Sequence, residues 1–147
     1  MVEEDSDPFE LARFVEAQAP CIDAALGELR AGRKRTHWMW FVFPQVEGLG
    51  FSSMAQRYAF QSRAEAEAYL KHPVLGPRLR ECAEALLSVH GRSAHEIMGS
   101  PDDLKLQSSM TLFAEVEGSG SVFESVLATY FAGHRCERTL RFLRRLE

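Results

Sequence analysis

Trp38-Met39-Trp40-Phe41-Val42-Phe43, followed by Pro44, is the stretch on which the fold class turns. Its aromatic and β-branched residues favour a strand. A strand by itself, however, leaves a row of backbone amides and carbonyls unpaired, and no second segment reads convincingly as its partner. The expectation is therefore a short buried helix or turn closed by Pro44, in an all-α protein.

Toward the N-terminus, Asp7-Pro8-Phe9-Glu10 reads as a helix start, with Asp7 as N-cap, Pro8 in the first helical position and Glu10 three residues after the cap. Leu11, Phe14 and Val15 form its apolar stripe, and Pro20 should break it near Ala19. The stripe resumes at Ile22, Ala25, Leu26 and Leu29, and Gly32 suits the left-handed position that ends a helix. Residues 1–6 read as a frayed tail.

Toward the C-terminus, a polar loop with Gly48 and Gly50 leads to a short helix from Ser53 to Phe60. Ser62 to Glu65, Ser93 to Glu96 and Ser121 to Glu124 are capping boxes. The first opens a helix to Lys71, with Glu67 and Lys71 spaced to pair. The second opens a short helix stopped by Gly99, and the third a helix to Phe131. His72 to Pro77 reads as a turn, and Leu79, Cys82, Leu86 and Val89 mark a helix ending at Gly91. Ser100-Pro101-Asp102-Asp103 starts a helix to Val116. A last helix, 136–146, carries Leu140, Leu143 and Leu146 opposite its arginines. Connections are short, and no repeat or linker interrupts them. The prediction is one domain over 7–146, a compact array of about six to eight helices.

Composition agrees. A chain of 147 residues, 46% hydrophobic and 26% charged, suits one folded domain. A net charge of −4 against 17 basic residues argues against nucleic-acid binding by the whole surface, though not by a local patch. Cys21, Cys82 and Cys136 are odd in number and far apart, which fits free thiols in a reducing cytoplasm. The acidic start is unlike a signal peptide, and the 38–43 run is too short to span a bilayer. With no heptad seam, a monomer is expected.

Several strings carry a family resemblance. They are Gly32-Arg33-Lys34-Arg35 with His37-Trp38-Met39-Trp40-Phe41-Val42-Phe43-Pro44-Gln45, then Gly48-Leu49-Gly50; Tyr69-Leu70, His72-Pro73, Leu75-Gly76 and Arg78-Leu79; and Asp102-Asp103-Leu104-Lys105 leading to Ser108-Ser109-Met110-Thr111-Leu112-Phe113. Over about 7–143 the chain resembles the small bacterial proteins of unknown function sometimes mislabelled "calpastatin". The resemblance implies a single all-α domain and no activity.

No P-loop, dinucleotide-binding glycine fingerprint, GxSxG or HExxH occurs. His90 and His95 are spaced for different helix faces, so no metal or cofactor is expected. Two polar-aromatic segments, 33–58 and 99–113, hold the residues that a plain helical core does not explain. Arg33, Arg35, His37 and Trp38 could grip an anion and stack a planar ring. Equally, the cations could neutralise a helix end and the indole fill the core. Trp40, Phe41 and Phe43 read as core. Gln45, Gly48, Gly50 and Arg57 form a polar loop able to approach a ligand, or simply a turn. Asp103 and Lys105, with Ser108 and Ser109 beneath, could face a cleft; alternatively the acids serve the helix dipole and the hydroxyls bond back to their own helix.

The leading expectation is a small anionic ligand with a planar portion, nucleotide or ADP-ribose-like, in a cleft between 33–58 and 99–113. Arg33, Arg35, His37, Trp38, Gln45, Arg57, Asp103, Lys105, Ser108 and Ser109 would bind it, with His37 or Asp103 as general acid or base if the protein is an enzyme. Its rivals are a non-catalytic protein–protein interaction module and a weak nucleic-acid binder using Arg138, Arg141, Arg144 and Arg145.

Overall fold

The computed structural model describes residues 7–145 as ten helices: α1 Ala12–Gln18, α2 Ile22–Arg30, α3 Met39–Val42, α4 Ser53–Tyr58, α5 Arg63–Lys71, α6 Leu75–Leu87, α7 Ala94–Met98, α8 Asp102–Glu117, α9 Val122–Phe131 and α10 Glu137–Arg145. The fold is all-α. Seven of these ten helices have seven residues or more, in line with the expected six to eight, and α3, α4 and α7 are short, at 4, 6 and 5 residues. The only β feature among the described residues is an isolated parallel bridge between Val46 and Phe60. The tail 1–6 and Leu146 lie outside the described residues.

The deciding stretch is helical for a reason the expectation contained: its backbone is satisfied locally. Val42 N–H donates to the Trp38 carbonyl at 3.1 Å and Phe43 N–H to that of Met39 at 3.2 Å. The Phe41 carbonyl is met from outside, by Gln18 Nε2 at 2.6 Å. Trp38, Met39, Phe41, Val42 and Phe43 are all buried. A single turn buried except on its Trp40 side, with its backbone bonds made locally, needs no sheet partner.

Several boundaries differ from the sequence reading, among them the end of α4 at Tyr58 and not Phe60. The first helix begins at Ala12, because Glu10 takes a left-handed φ of 54°. Asp7 still serves the helix start, its two carboxylate oxygens accepting the amides of Leu11 (2.8 Å) and Ala12 (2.9 Å) across that kink. α6 begins at Leu75, so Pro77 sits in its first turn, where a missing amide costs nothing. It ends at Leu87, short of Gly91. Glu67 pairs with Arg63 at 3.5 Å, and not with Lys71. Of the three capping boxes only Ser93/Glu96 closes in both directions. Ser62 and Ser121 cap their helices, but Glu65 and Glu124 turn their carboxylates to Gln61 N–H and Gly120 N–H.

α8 runs through the middle of the molecule, in contact with α5, α7, α9 and α10. Leu106 and every residue from Ser108 to Ala114 are buried, so the middle of this helix is covered all round. Phe113 meets Phe60, Tyr69 and Phe123 at ring-centroid distances of 5.9, 5.6 and 5.6 Å, and Phe14 meets Tyr69 edge-on at 5.2 Å. This aromatic spine ties α1, α5, α8 and α9 into one core. The loop 43–61 lies across its outer end.

Candidate functional site

The run Arg33 to Trp38 is organised by a residue the sequence reading passed over. Glu28, on α2, accepts Arg35 N–H (2.9 Å), Thr36 N–H (3.1 Å) and Trp38 Nε1–H (2.9 Å) on one oxygen, and the Thr36 hydroxyl (2.6 Å) on the other. Burial pushes its carboxyl upward, but these hydrogen bonds from Thr36, Arg35 and Trp38 outweigh it and hold the pKa near 2. Trp38 is 0% exposed. Nothing in the spacing of the sequence marks Glu28; only the fold brings it under the loop.

The two segments expected to be neighbours do meet. Lys34 Nζ lies 3.0 Å from Asp102 Oδ2 and 4.9 Å from the Trp38 ring centroid. Lys105 Nζ sits 3.7 Å from Asp102 Oδ1 and 5.9 Å from the Trp40 ring. Asp103 faces His95 at 3.4 Å, and not His37. Arg33, Arg35 and His37 are exposed, and their side chains make no hydrogen bond or ion pair among the described residues. Ser108 Oγ donates to the Leu104 carbonyl at 3.2 Å and Thr111 Oγ1 to that of Gln107 at 2.7 Å, the back-bonding expected of hydroxyls in mid-helix. Ser109 is fully buried with its hydroxyl unpartnered. The contact between the segments is thus a set of charges paired with one another.

Open space lies along the loop 43–61 instead. A groove of about 280 Å³ is walled by Arg138, Arg141 and Arg145 of α10 on one side and Glu47, Gly48 and Leu49 on the other. Glu47 and Gly48 also line the next hollow, of about 310 Å³, which holds Phe51. Gln56, Ala59 and Gln61 of that hollow continue into a cleft of about 610 Å³ that contains Arg13, Arg57 and Glu65. The three follow one another along the loop, neighbours sharing lining residues, and are called the trough. A small recess beneath the loop takes in Trp40 and Gln45. Of the residues expected from sequence, Gln45 and Arg57 border these spaces; Arg33, Arg35, His37, Trp38, Asp103, Lys105, Ser108 and Ser109 do not.

Local chemistry shapes the trough. Gly48, at a φ of 90° that side chains rarely adopt, turns its carbonyl to Arg138, whose Nη2 donates at 3.0 Å. Among the described residues no carboxylate lies within 4.0 Å of Arg138, Arg141 or Arg145, even though Glu47 shares the groove. Phe51 is 78% exposed, the barest large apolar side chain among those described. A lone phenylalanine between Gly50 and Ser52 was the sequence signal for it, and it went unread.

Residues 8–143 match the family described as "Protein of unknown function (DUF1810)". The chain is also similar to the crystal structure of the conserved hypothetical protein Rv1873 from Mycobacterium tuberculosis, with 56% identity and a TM-score of 0.92, over 94% of this chain and 99% of that one. No protein with a curated description matches.

Proposed function

The chain belongs to this family of proteins of unknown function, DUF1810, and from that premise we propose that it binds a small anionic ligand with a planar group, nucleotide-like, in the trough between the loop 43–61 and α10. The supporting observation is the pairing of Arg138, Arg141 and Arg145 on one wall with the bare ring of Phe51 farther along. Guanidinium groups three and four residues apart on one helix face present several N–H donors to phosphate or carboxylate oxygens. An exposed aromatic face at hand offers a base somewhere to stack. The site keeps the ligand class expected from sequence and half of its first segment, while moving its cationic half from Arg33 and Arg35 to α10. It is a reading of binding, and no reaction step is proposed. Three unpaired thiols support a reducing, cytoplasmic setting, and we take the protein as a monomer. The calpastatin label plays no part in this reading.

Calorimetric titration with ADP-ribose, pyrophosphate and adenosine tests the proposal. ADP-ribose should bind more tightly than either fragment. Arg141→Ala and Phe51→Ala should each weaken it by about tenfold, the loss of roughly 1.4 kcal/mol, and Arg35→Ala should leave it unchanged. No binding, or binding indifferent to both trough variants, overturns the proposal. Tight capture of single-stranded oligonucleotide with a steep salt dependence, and none of ADP-ribose, would favour the nucleic-acid reading instead.

A further inference from the structure

Phe51 stands in the middle of the trough and not at its end. The groove beside α10 shares Glu47 and Gly48 with the hollow that holds Phe51, and that hollow shares Gln56, Ala59 and Gln61 with the cleft of about 610 Å³ beyond it. An anion on α10 and a ring on Phe51 leave this cleft, the roomiest of the three spaces, without a tenant.

Most of the charge in the cleft is already spent. Arg13 Nη2 pairs with Glu65 at 3.0 Å, while its Nε donates to the Arg57 carbonyl at 3.0 Å and its Nη1 to the carbonyls of Phe9 (2.6 Å) and Glu10 (3.1 Å). Glu65 is equally committed, its other oxygen accepting the Gln61 amide at 2.9 Å. Glu10, the other acid of the cleft, is exposed to water, which screens it. Arg57 differs. It is exposed, its guanidinium lies 5.6 Å from the Tyr58 ring, and no carboxylate comes within 4.0 Å of it among the described residues.

The short helix α4 sets the spacing. Phe51 immediately precedes the cap residue Ser52, whose hydroxyl accepts the Ala55 amide at 3.1 Å, and Gln56 Nε2 donates to the Phe51 carbonyl at 3.0 Å. Arg57 lies in the last turn of this helix, which is 6 residues and so roughly 9 Å long. One rigid element thus carries a bare ring before its start and an uncommitted cation near its end, with the arginines of α10 on the other side of the ring. Gln56 and Gln61, whose amides both donate and accept, line the stretch between ring and cation.

We infer that the trough takes a nucleoside phosphorylated on both sides of its sugar, with one phosphate on the α10 guanidiniums, the base on Phe51 and the second phosphate on Arg57. The inference rests on the reading of the trough as a nucleotide site and narrows its ligand. A base between two phosphates occurs in free nucleoside 3′,5′-bisphosphates and along single-stranded nucleic acid, and stacking with guanidinium contacts recognises it in either.

The test is calorimetric titration of the full chain with adenosine 3′,5′-bisphosphate and with its isomer ADP, which carries both phosphates on one side of the sugar. The 3′,5′ isomer should bind about tenfold more tightly, the worth of one charge-assisted contact. Arg57→Gln should remove that advantage and leave ADP unchanged, whereas Phe51→Ala should weaken both. A single-stranded oligoadenylate then separates the sources: binding tighter than the bisphosphate, with a steeper salt dependence, identifies a strand, and equal or weaker binding identifies the free nucleotide. ADP bound through Arg141 but matched by the bisphosphate, or an advantage that survives Arg57→Gln, overturns this inference and leaves the nucleotide site standing. Failure of both isomers to bind overturns the two together.

Discussion

The Glu28 carboxylate and the Trp38 indole, ten residues apart, are joined by a hydrogen bond of 2.9 Å. That contact hangs the whole 33–38 turn from α2. Glu28→Ala strands the buried indole N–H and two loop amides; the expected loss is about 2 kcal/mol, set at the lower end because the carboxylate is partly solvated. Urea denaturation measures it, and a variant as stable as the parent would refute the role.

The same group makes stability depend on acid. Folding lowers the Glu28 pKa from 4.5 to about 2, so the unfolded chain holds this proton more tightly than the folded one. Its contribution is fully present above pH 4.5 and is lost as the pH falls toward 2. Thermal melts of Glu28→Gln should therefore decline less steeply than those of the parent across that window.

Two glycines should respond in opposite directions to alanine. A Cβ on Gly76 would collide with the Leu70 backbone carbonyl at the α5–α6 junction, whereas one on Gly27, in the middle of α2, meets nothing within 4 Å. Gly76→Ala should cost about 3 kcal/mol or prevent folding. Gly27→Ala should stabilise by about 0.5–1 kcal/mol. Melting temperatures of the two variants check both signs.

Gln18 is 1% exposed and its Nε2 donates to the Phe41 carbonyl at 2.6 Å and to the Tyr69 hydroxyl at 2.9 Å. Gln18→Leu keeps the volume but leaves the Phe41 carbonyl only the longer bond from the Tyr69 hydroxyl at 3.4 Å, at a cost of about 2 kcal/mol. Combining it with Tyr69→Phe, which removes the other donor to that carbonyl, should give a non-additive loss in a double-mutant cycle; strict additivity would show that the two side chains do not act together.

Arg13 and Glu65 pair at 3.0 Å with side chains only 16% and 6% exposed. Arg13→Met alone should cost about 3 kcal/mol, because Glu65 is left charged and enclosed. Arg13→Met with Glu65→Leu should cost less than Arg13→Met, a comparison that chemical denaturation makes directly.

Local signals were readable at several helix ends, though not at Glu10, Glu65, Glu67 or Glu124. Ser62, Ser93 and Ser121 cap helices as their spacing announced, and Gly32 and Gly99 take the left-handed φ that ends a helix. The helical reading of 38–43 followed from the lack of a partner strand. Legibility failed where a side chain answers to a distant element. Glu28 reads as one more solvent acid on α2, and Gln18 as a polar residue near a helix end; each is defined by what the fold lays over it. The cationic half of the trough failed for the same reason. Arg138, Arg141 and Arg145 entered the sequence reading as a nucleic-acid patch and not as part of the ligand site, since nothing local reveals that Gly48 stands opposite.

Val46 and Phe60 are clasped by just two backbone bonds, Glu47 N–H to the Phe60 carbonyl at 2.9 Å and Phe60 N–H to the Gln45 carbonyl at 2.8 Å. Everything between those points, Phe51 included, is a bight of chain drawn shut at its neck. Because closing such a bight depends only weakly on its length, its crown can be recut or lengthened while the neck keeps its seat on the aromatic spine. The shape of the space beside Phe51 can therefore change with the helical scaffold untouched.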